Sequence, residues 1–221
     1  VFLYEDFSKT PVQVPFDDLQ LEKVLDSEKP FMSHGPHTCE HLRIPLLLYY
    51  YTGIDKYRIA YRNAYSKIKK YIGVSGACKS DEMIGSYAEK RETLDPETAN
   101  ILFDGAPLPE AGYEYCASTE LLLSLHMAFI LTGDNEYADM AERLVFNAAM
   151  AARQSNGKGI GYLSADNLYA ATKEKGVRWD YSATHDDAAV CCIPNAGRIL
   201  PYHISRMWTK INENTLAAVF Y

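Results

Sequence analysis

The stretch YTGIDKY, residues 51–57, is the strongest indication of the fold of this chain because it returns as LTGDNEY at residues 131–137. Both copies read T-G-x-x-x-Y, and each follows apolar residues at three- and four-residue spacing, which is the spacing of an amphipathic helix. A glycine in this place ends one helix, and the residues after it begin another. The sequence therefore predicts helical hairpins of one design.

A repeated helix pair, with long loops between the pairs, is typical of a toroid or solenoid of antiparallel helical hairpins. We therefore predict an all-α fold. Residues 1–33 hold three prolines and one plausible helical turn around 17–25, so we expect an irregular lead-in. The apolar residues 215–221 predict the first strand of a β-domain. The predicted helices span residues 38–52, 55–72, 116–131, 135–154 and 195–209.

The composition is that of a globular protein, with 221 residues of which 48% are hydrophobic and 23% charged. The net charge of −7 comes without any basic cluster longer than Lys67-Ile68-Lys69-Lys70, so we expect no nucleic-acid partner and no anionic membrane surface. The longest apolar run, residues 44–51, is far shorter than the roughly 20 residues that cross a bilayer. We expect a soluble domain with a carbohydrate or small neutral ligand, cytoplasmic or exported.

The cysteines favour reduced thiol chemistry, because their count of five is odd and leaves at least one of them unpaired. Two of them, Cys191 and Cys192, are neighbours in the stretch AVCCIPN. A disulfide between adjacent cysteines closes only a strained ring. Either this pair is incidental packing, or a third element of the fold meets it.

Polar clusters precede the leading helix of each pair, at residues 33–41, 113–116 and 189–192. Leading helices in an array of antiparallel hairpins run parallel, so we expect these three clusters to converge on one rim. Together, the second and third clusters offer three sulfurs and one carboxylate oxygen, which suffice for tetrahedral zinc. The predicted ligands are Glu114, Cys116, Cys191 and Cys192.

The same residues resemble a known family. EYCA at 114–117 and CCIPN at 191–195 are similar to the E-T-C-A and C-C-x-P-N signatures of the glycoside hydrolase family 127 β-L-arabinofuranosidases. Supporting similarities are His34-Gly35 leading into a helix, ADMAERLVFNAAMA at 138–151, and NTLAAVFY at 214–221. The resemblance covers about residues 33–221 and is that of a distant branch.

The resemblance implies an (α/α)6 barrel and a retaining mechanism in which a zinc-bound cysteine replaces the usual carboxylate nucleophile. Carried over by position, Cys191 is the expected nucleophile, and Cys192, Cys116 and Glu114 are its zinc companions. The implied substrate is a β-L-arabinofuranosyl or related furanoside residue.

The family's general acid/base is a glutamate upstream of E-x-C, and the resemblance implies that Glu82 of KSDE fills that role. The interval from Glu82 to Glu114 is longer than in the family, so Glu92 and Glu97 are alternatives.

The sugar pocket is expected to be lined by His34 and Tyr162, together with His37, which stands where many relatives have asparagine. The implied domains are a lead-in at 1–33, a partial (α/α)6 catalytic barrel at 34–212 and the first strand of a β-sandwich at 213–221. The remainder of the barrel and of the β-sandwich is expected from the full-length protein, and activity of this part alone stays open.

Two other functions are compatible with the sequence. One is a non-catalytic helical-repeat domain with a structural zinc. The other is a metal-free (α/α)6 sugar epimerase or lyase that uses His34, His37 and His41.

Overall fold

The computed structural model describes residues 1–7, 18, 20–81, 83–84, 112–153, 159–164, 179–181 and 191–220. The helices are Phe2–Phe7 (α1), Leu21–Leu25 (α2), Gly35–His41 (α3), Arg43–Thr52 (α4), Asp55–Ile68 (α5), Tyr115–Thr132 (α6), Asn135–Arg143 (α7) and Cys192–Ile204 (α8). A 3-10 turn, Lys69–Tyr71, continues α5, and a π-helical turn, Leu144–Ala149, continues α7. The strands are Ser80–Asp81 (β1), Met83–Ile84 (β2), Tyr113–Glu114 (β3), Gly159–Gly161 (β4), Leu163–Ser164 (β5), Trp179–Tyr181 (β6), Trp208–Asn212 (β7) and Thr215–Ala218 (β8).

The two T-G-x-x-x-Y turns are built alike, which confirms the predicted hairpins. Gly133 takes the left-handed conformation at φ +70°, and its N–H donates to the carbonyl four residues earlier at 2.8 Å. The hydroxyl of Thr132 donates to the carbonyl of Ala128 at 2.6 Å and accepts the N–H of Asp134 at 3.2 Å. The turn at 51–57 repeats these three bonds at 2.8, 2.6 and 3.2 Å. Glycine is favoured there because a side chain strains that backbone conformation.

Helix α6 forms the centre of the core, and it packs against α3, α4, α7 and α8. The hydroxyl of Ser124 in α6 donates to the carbonyl of Cys39 at 2.6 Å, and the hydroxyl of Tyr65 donates to the carbonyl of Ser124 at 2.9 Å. This helix is long and apolar enough to cross a membrane, but 67% of that stretch is buried inside the fold. A buried core helix has the same composition.

A small sheet with the strand order β2-β1-β3-β5 joins the start of α3 to the start of α6. Strand β1 is antiparallel to β2 and parallel to β3, and β3 is antiparallel to β5. His34 forms an isolated bridge with Met83, and the N–H of Ile84 donates to the carbonyl of Ser33 at 2.9 Å. Because β3 runs directly into α6, these pairings bring two of the predicted polar clusters to one place.

The predicted helix at 195–209 is wrong at its C-terminal end. Helix α8 stops at Ile204, and β7 and β8 form an antiparallel hairpin after it. The turn of that hairpin is closed by the side chain of Asn212, which accepts the N–H of Asn214 at 3.0 Å. The strand predicted at 215–221 is present at 215–218, as the second strand of this hairpin.

Smaller differences concern helix ends. The predicted helix at 38–52 begins earlier and is divided at Leu42 into α3 and α4, and the predicted helix at 135–154 contains the π-helical turn. The lead-in holds α1 in addition to the helical turn at α2. The predicted domain limits, 1–33, 34–212 and 213–221, stay a prediction.

Candidate metal centre

The adjacent cysteines meet the third element that the sequence predicts. Cys116 lies in the first turn of α6, and Cys192 is the first residue of α8. Their sulfurs are 3.0 Å apart, and the sulfur of Cys191 is 3.9 Å from that of Cys192. Together with a carboxylate oxygen of Glu114, these atoms all lie within 4.8 Å of one another. Two helix starts and the end of one strand therefore build a compact donor set.

The position of Glu114 is fixed by the backbone on both sides. As the last residue of β3 it pairs with Leu163, and the next N–H, that of Tyr115, donates to the carbonyl of Tyr162 at 3.0 Å. Its side chain is fully buried. A carboxylate buried beside three thiols is costly unless a cation or a proton balances its charge.

The three thiols differ in pKa. Hydrogen bonds, first from Cys192 and also from Asn195, lower the pKa of Cys116 to about 7. Burial, followed by the contact with Cys116, raises the pKa of Cys191 to about 11. The hydrogen bond to Cys116 raises the pKa of Cys192 far above its ordinary value. Without a cation the cluster therefore favours one thiolate, at Cys116.

The donor set fits zinc. Zinc–sulfur bonds of about 2.3 Å in a tetrahedron place two ligand sulfurs about 3.8 Å apart, which lies between the two sulfur–sulfur distances given above. Three thiols and one carboxylate also match the ligand types that zinc takes. The dense packing of acidic groups is what a divalent cation would stabilise, because it would allow the thiols to lose their protons together.

The exposure of the four residues differs. Glu114, Cys116 and Cys192 are buried, whereas Cys191 is exposed. The sulfur of Cys191 is thus the donor of this set that a molecule from solution can approach.

The predicted pocket histidines lie beside the cluster. The Nε2 atom of His34 is 3.8 Å from an oxygen of Glu114, and the rings of His34 and His37 are in edge contact with centroids 4.7 Å apart. His37 is exposed. His41, by contrast, lines a small cavity together with Asp18.

Of the remaining predicted site residues, the structure describes Tyr162. Tyr162 is buried and contributes the carbonyl that holds Tyr115, so it borders the cluster through its backbone. The predicted acid/base Glu82 and its alternatives Glu92 and Glu97 lie outside the described residues.

A charged network that the sequence did not predict lies beside the cysteines. The carboxylate of Glu120 in α6 contacts Arg43 at 2.9 Å and also Arg198 of α8. The Nε atom of Arg198 donates to the side-chain oxygen of Asn195 at 2.5 Å. A signal was present, because Glu120 is a charged residue inside the otherwise apolar stretch of α6.

Comparison with known proteins places this geometry in a family. The chain matches the family described as β-L-arabinofuranosidase, GH127 catalytic domain, over residues 52–204, which is more than half of its length. The chain belongs to glycoside hydrolase family 127. The matched range contains all four metal-site donors, whereas His34 and His37 precede it.

Three solved structures share the fold. A glycoside hydrolase has a TM-score of 0.70 at 20% identity, with 100% of this chain and 36% of that protein covered. A GH127 β-arabinofuranosidase has 0.67 at 17% identity, with 100% and 31% covered. A GH127 β-L-arabinofuranosidase from Geobacillus stearothermophilus T6 has 0.65 at 15% identity, with 98% and 33% covered.

This chain therefore spans about a third of the length of these three proteins. The likeness establishes the predicted fold: the helical hairpins are part of an (α/α)6 toroid, followed by the beginning of a C-terminal sheet. None of the curated proteins matches the chain.

Proposed function

We propose that this chain contributes the zinc-thiolate site of a retaining glycoside hydrolase, which acts on β-L-arabinofuranosyl or related furanoside residues. The observation that carries the proposal is the meeting of Glu114, Cys116, Cys191 and Cys192 from distant segments, with Cys191 alone of the four exposed. Membership of the GH127 family supports a carbohydrate substrate. The rest of the barrel and a β-sandwich are the proposed partners of this part in the full-length protein.

The four donors would hold the metal, and each keeps a distinct role. Zinc, when bound, stabilises the thiolate of Cys191 at neutral pH and so makes it both a nucleophile and a leaving group. Glu114, Cys116 and Cys192 are buried and act as anchors. The exposed Cys191 is proposed to meet the sugar.

The reaction then needs two steps at the anomeric carbon. In the first step, the sulfur of Cys191 bonds to this carbon, the glycosidic C–O bond breaks, and Glu82 donates its proton to the departing oxygen. In the second step, Glu82 takes a proton from water, the water oxygen bonds to the same carbon, and the C–S bond breaks. Two inversions retain the configuration.

We propose that His34 and His37 bind sugar hydroxyls next to the nucleophile. Both side chains can donate or accept hydrogen bonds, and His34 lies against the Glu114 end of the cluster. Tyr162 is proposed as a further wall of the pocket. The role of Glu82 is supported by its chain neighbours, which belong to β1 and β2 in the sheet that also contains Glu114.

A structural zinc is the second candidate, because four protein donors form a closed set of the kind found in structural sites. The two candidates differ in what Cys191 and Glu82 do. A structural site needs Cys191 for folding and has no use for Glu82.

The test combines Cys191→Ser and Glu82→Gln in the full-length protein, with an aryl β-L-arabinofuranoside as substrate and zinc content and circular dichroism as controls. We expect Glu82→Gln to be folded, to keep its zinc and to lose at least 100-fold in turnover, since general acid/base catalysis contributes about 10²–10⁴-fold. A fully active Glu82→Gln variant would refute Glu82 as the acid/base. If Glu92→Gln and Glu97→Gln were active too, the hydrolase proposal would fail.

A further inference from the structure

Hydrogen bonds connect a buried carboxylate with the start of α8, where Cys191 and Cys192 lie. Glu120 lies one helical turn after Cys116 and is buried, with 8% of its surface exposed. Its carboxylate binds the guanidinium of Arg198, whose Nε donates to the side-chain oxygen of Asn195. Asn195 lies in the first turn of α8, three residues after Cys192.

The donors and acceptors in these hydrogen bonds follow from the chemistry of the groups. A guanidinium has donors only, so the atom of Asn195 that faces Arg198 must be its oxygen. The side chain of Asn195 is thereby tied to Arg198 one turn further along α8. Glu120 holds the guanidinium in the orientation that this requires.

A further contact joins α6 and α8 at Asn195. The hydroxyl of Thr119 lies 3.5 Å from the carbonyl of Asn195, and the N–H of Asn195 donates to the carbonyl of Cys191 at 3.1 Å. Asn195 therefore connects the helix start that carries Cys191 with the helix that carries Cys116.

We propose that Glu120, through Arg198 and Asn195, is a positioning residue that sets the affinity of the cysteine cluster for its metal. This inference rests on the proposed metal site and adds residues to it that do not touch the metal. Hydrogen-bond partners of metal ligands typically change metal affinity by 10–100-fold when they are removed.

The variants are Glu120→Gln, which keeps the shape and removes the charge, and Arg198→Lys, which keeps the charge and removes the forked donor. The matched control is Glu40→Gln. Glu40 is the other carboxylate on the same nitrogen of Arg43, at 3.2 Å, and its bond is not part of the connection from Glu120 through Arg198 to Asn195. It therefore removes an equal charge from the same network without breaking the connection to Asn195.

The experiment titrates Co²⁺ into the reduced, metal-free full-length protein and follows the thiolate-to-cobalt absorption band, with Zn²⁺ competition for affinity. We expect Glu120→Gln and Arg198→Lys each to weaken Co²⁺ binding about tenfold and to shift the band, and the double variant to be no weaker than either single one. Glu40→Gln should match the wild type.

Unchanged Co²⁺ affinity and an unchanged band in Glu120→Gln, even with lower stability, would overturn the inference and leave a merely structural ion pair. If Glu120→Gln does not fold, Arg198→Lys decides in the same way, because the arginine side chain is 40% exposed and tolerates replacement. A wild-type protein that binds no Co²⁺ and no Zn²⁺ would overturn the proposed metal site as well, so the two failures are distinguishable.

Discussion

Asp18 should make the protein less stable as the pH rises from about 4 to about 6. Its side chain is 4% exposed, and its carboxylate accepts the N–H groups of Met32 and Ser33, both at 2.7 Å, and the hydroxyl of Thr38 at 3.0 Å. These bonds hold the segment directly before His34. Burial nevertheless dominates, and it raises the pKa of Asp18 from 3.8 to about 6.

The sign follows from proton linkage. The folded state binds the proton of Asp18 more tightly than the unfolded state does, so its contribution to stability is fully present below pH 3.8 and is lost as the pH rises through about 6. Roughly two pKa units at 1.36 kcal/mol each give a loss of about 3 kcal/mol in the free energy of unfolding. Asp18→Asn cannot titrate and should lack this loss.

The assay is urea unfolding of the wild type and Asp18→Asn at pH 3.5, 5 and 7, with the difference between the two free energies plotted against pH. Asp26→Asn is the control of opposite sign. Asp26 is exposed, and hydrogen bonds, first from the N–H of Glu28, lower its pKa, so its contribution is lost as the pH falls. A difference between the wild type and Asp18→Asn that does not change with pH would refute the argument.

Three further predictions concern the core and the repeated turn. Thr132→Val removes the hydroxyl that closes its turn and should cost about 1 kcal/mol in urea unfolding, with Thr52→Val matching it because the turns are alike; clearly unequal costs would contradict that. Burial lowers the pKa of His126 to about 3, so the wild type should lose stability as the pH falls from 6.5 towards 3. His126→Leu should lack that loss in thermal unfolding, and an equal acid sensitivity would contradict the argument. Tyr65→Phe removes a buried donor to the carbonyl of Ser124 and should cost about 1–2 kcal/mol in urea unfolding, whereas a neutral effect would mean that the bond adds nothing.

The sequence was informative about the fold because the deciding features are local. The threonine, glycine and tyrosine of the T-G-x-x-x-Y turn bond within a few residues, so a repeated motif repeats its geometry. The end of α8 was misjudged for the opposite reason. Residues 208–212 are compatible with a helix, and their pairing with 215–218 decides for a strand.

The same contrast between local and long-range features applies to the site. The convergence of Cys116 with Cys191 and Cys192 could be inferred, since the repeat implies parallel leading helices. The contacts of Glu120 could not, because they join α4, α6 and α8 through side-chain geometry that no spacing encodes. The roles of His34, His37, Tyr162 and Glu82 stay predictions.

The most direct test of the account is the zinc content per chain, measured by elemental analysis of protein purified under reducing conditions without added metal. The account predicts one zinc per chain in the wild type and its loss in Cys116→Ser. A wild-type protein without zinc, whose Cys191 and Cys192 are freely alkylated, would contradict the proposed metal centre and the mechanism built on it.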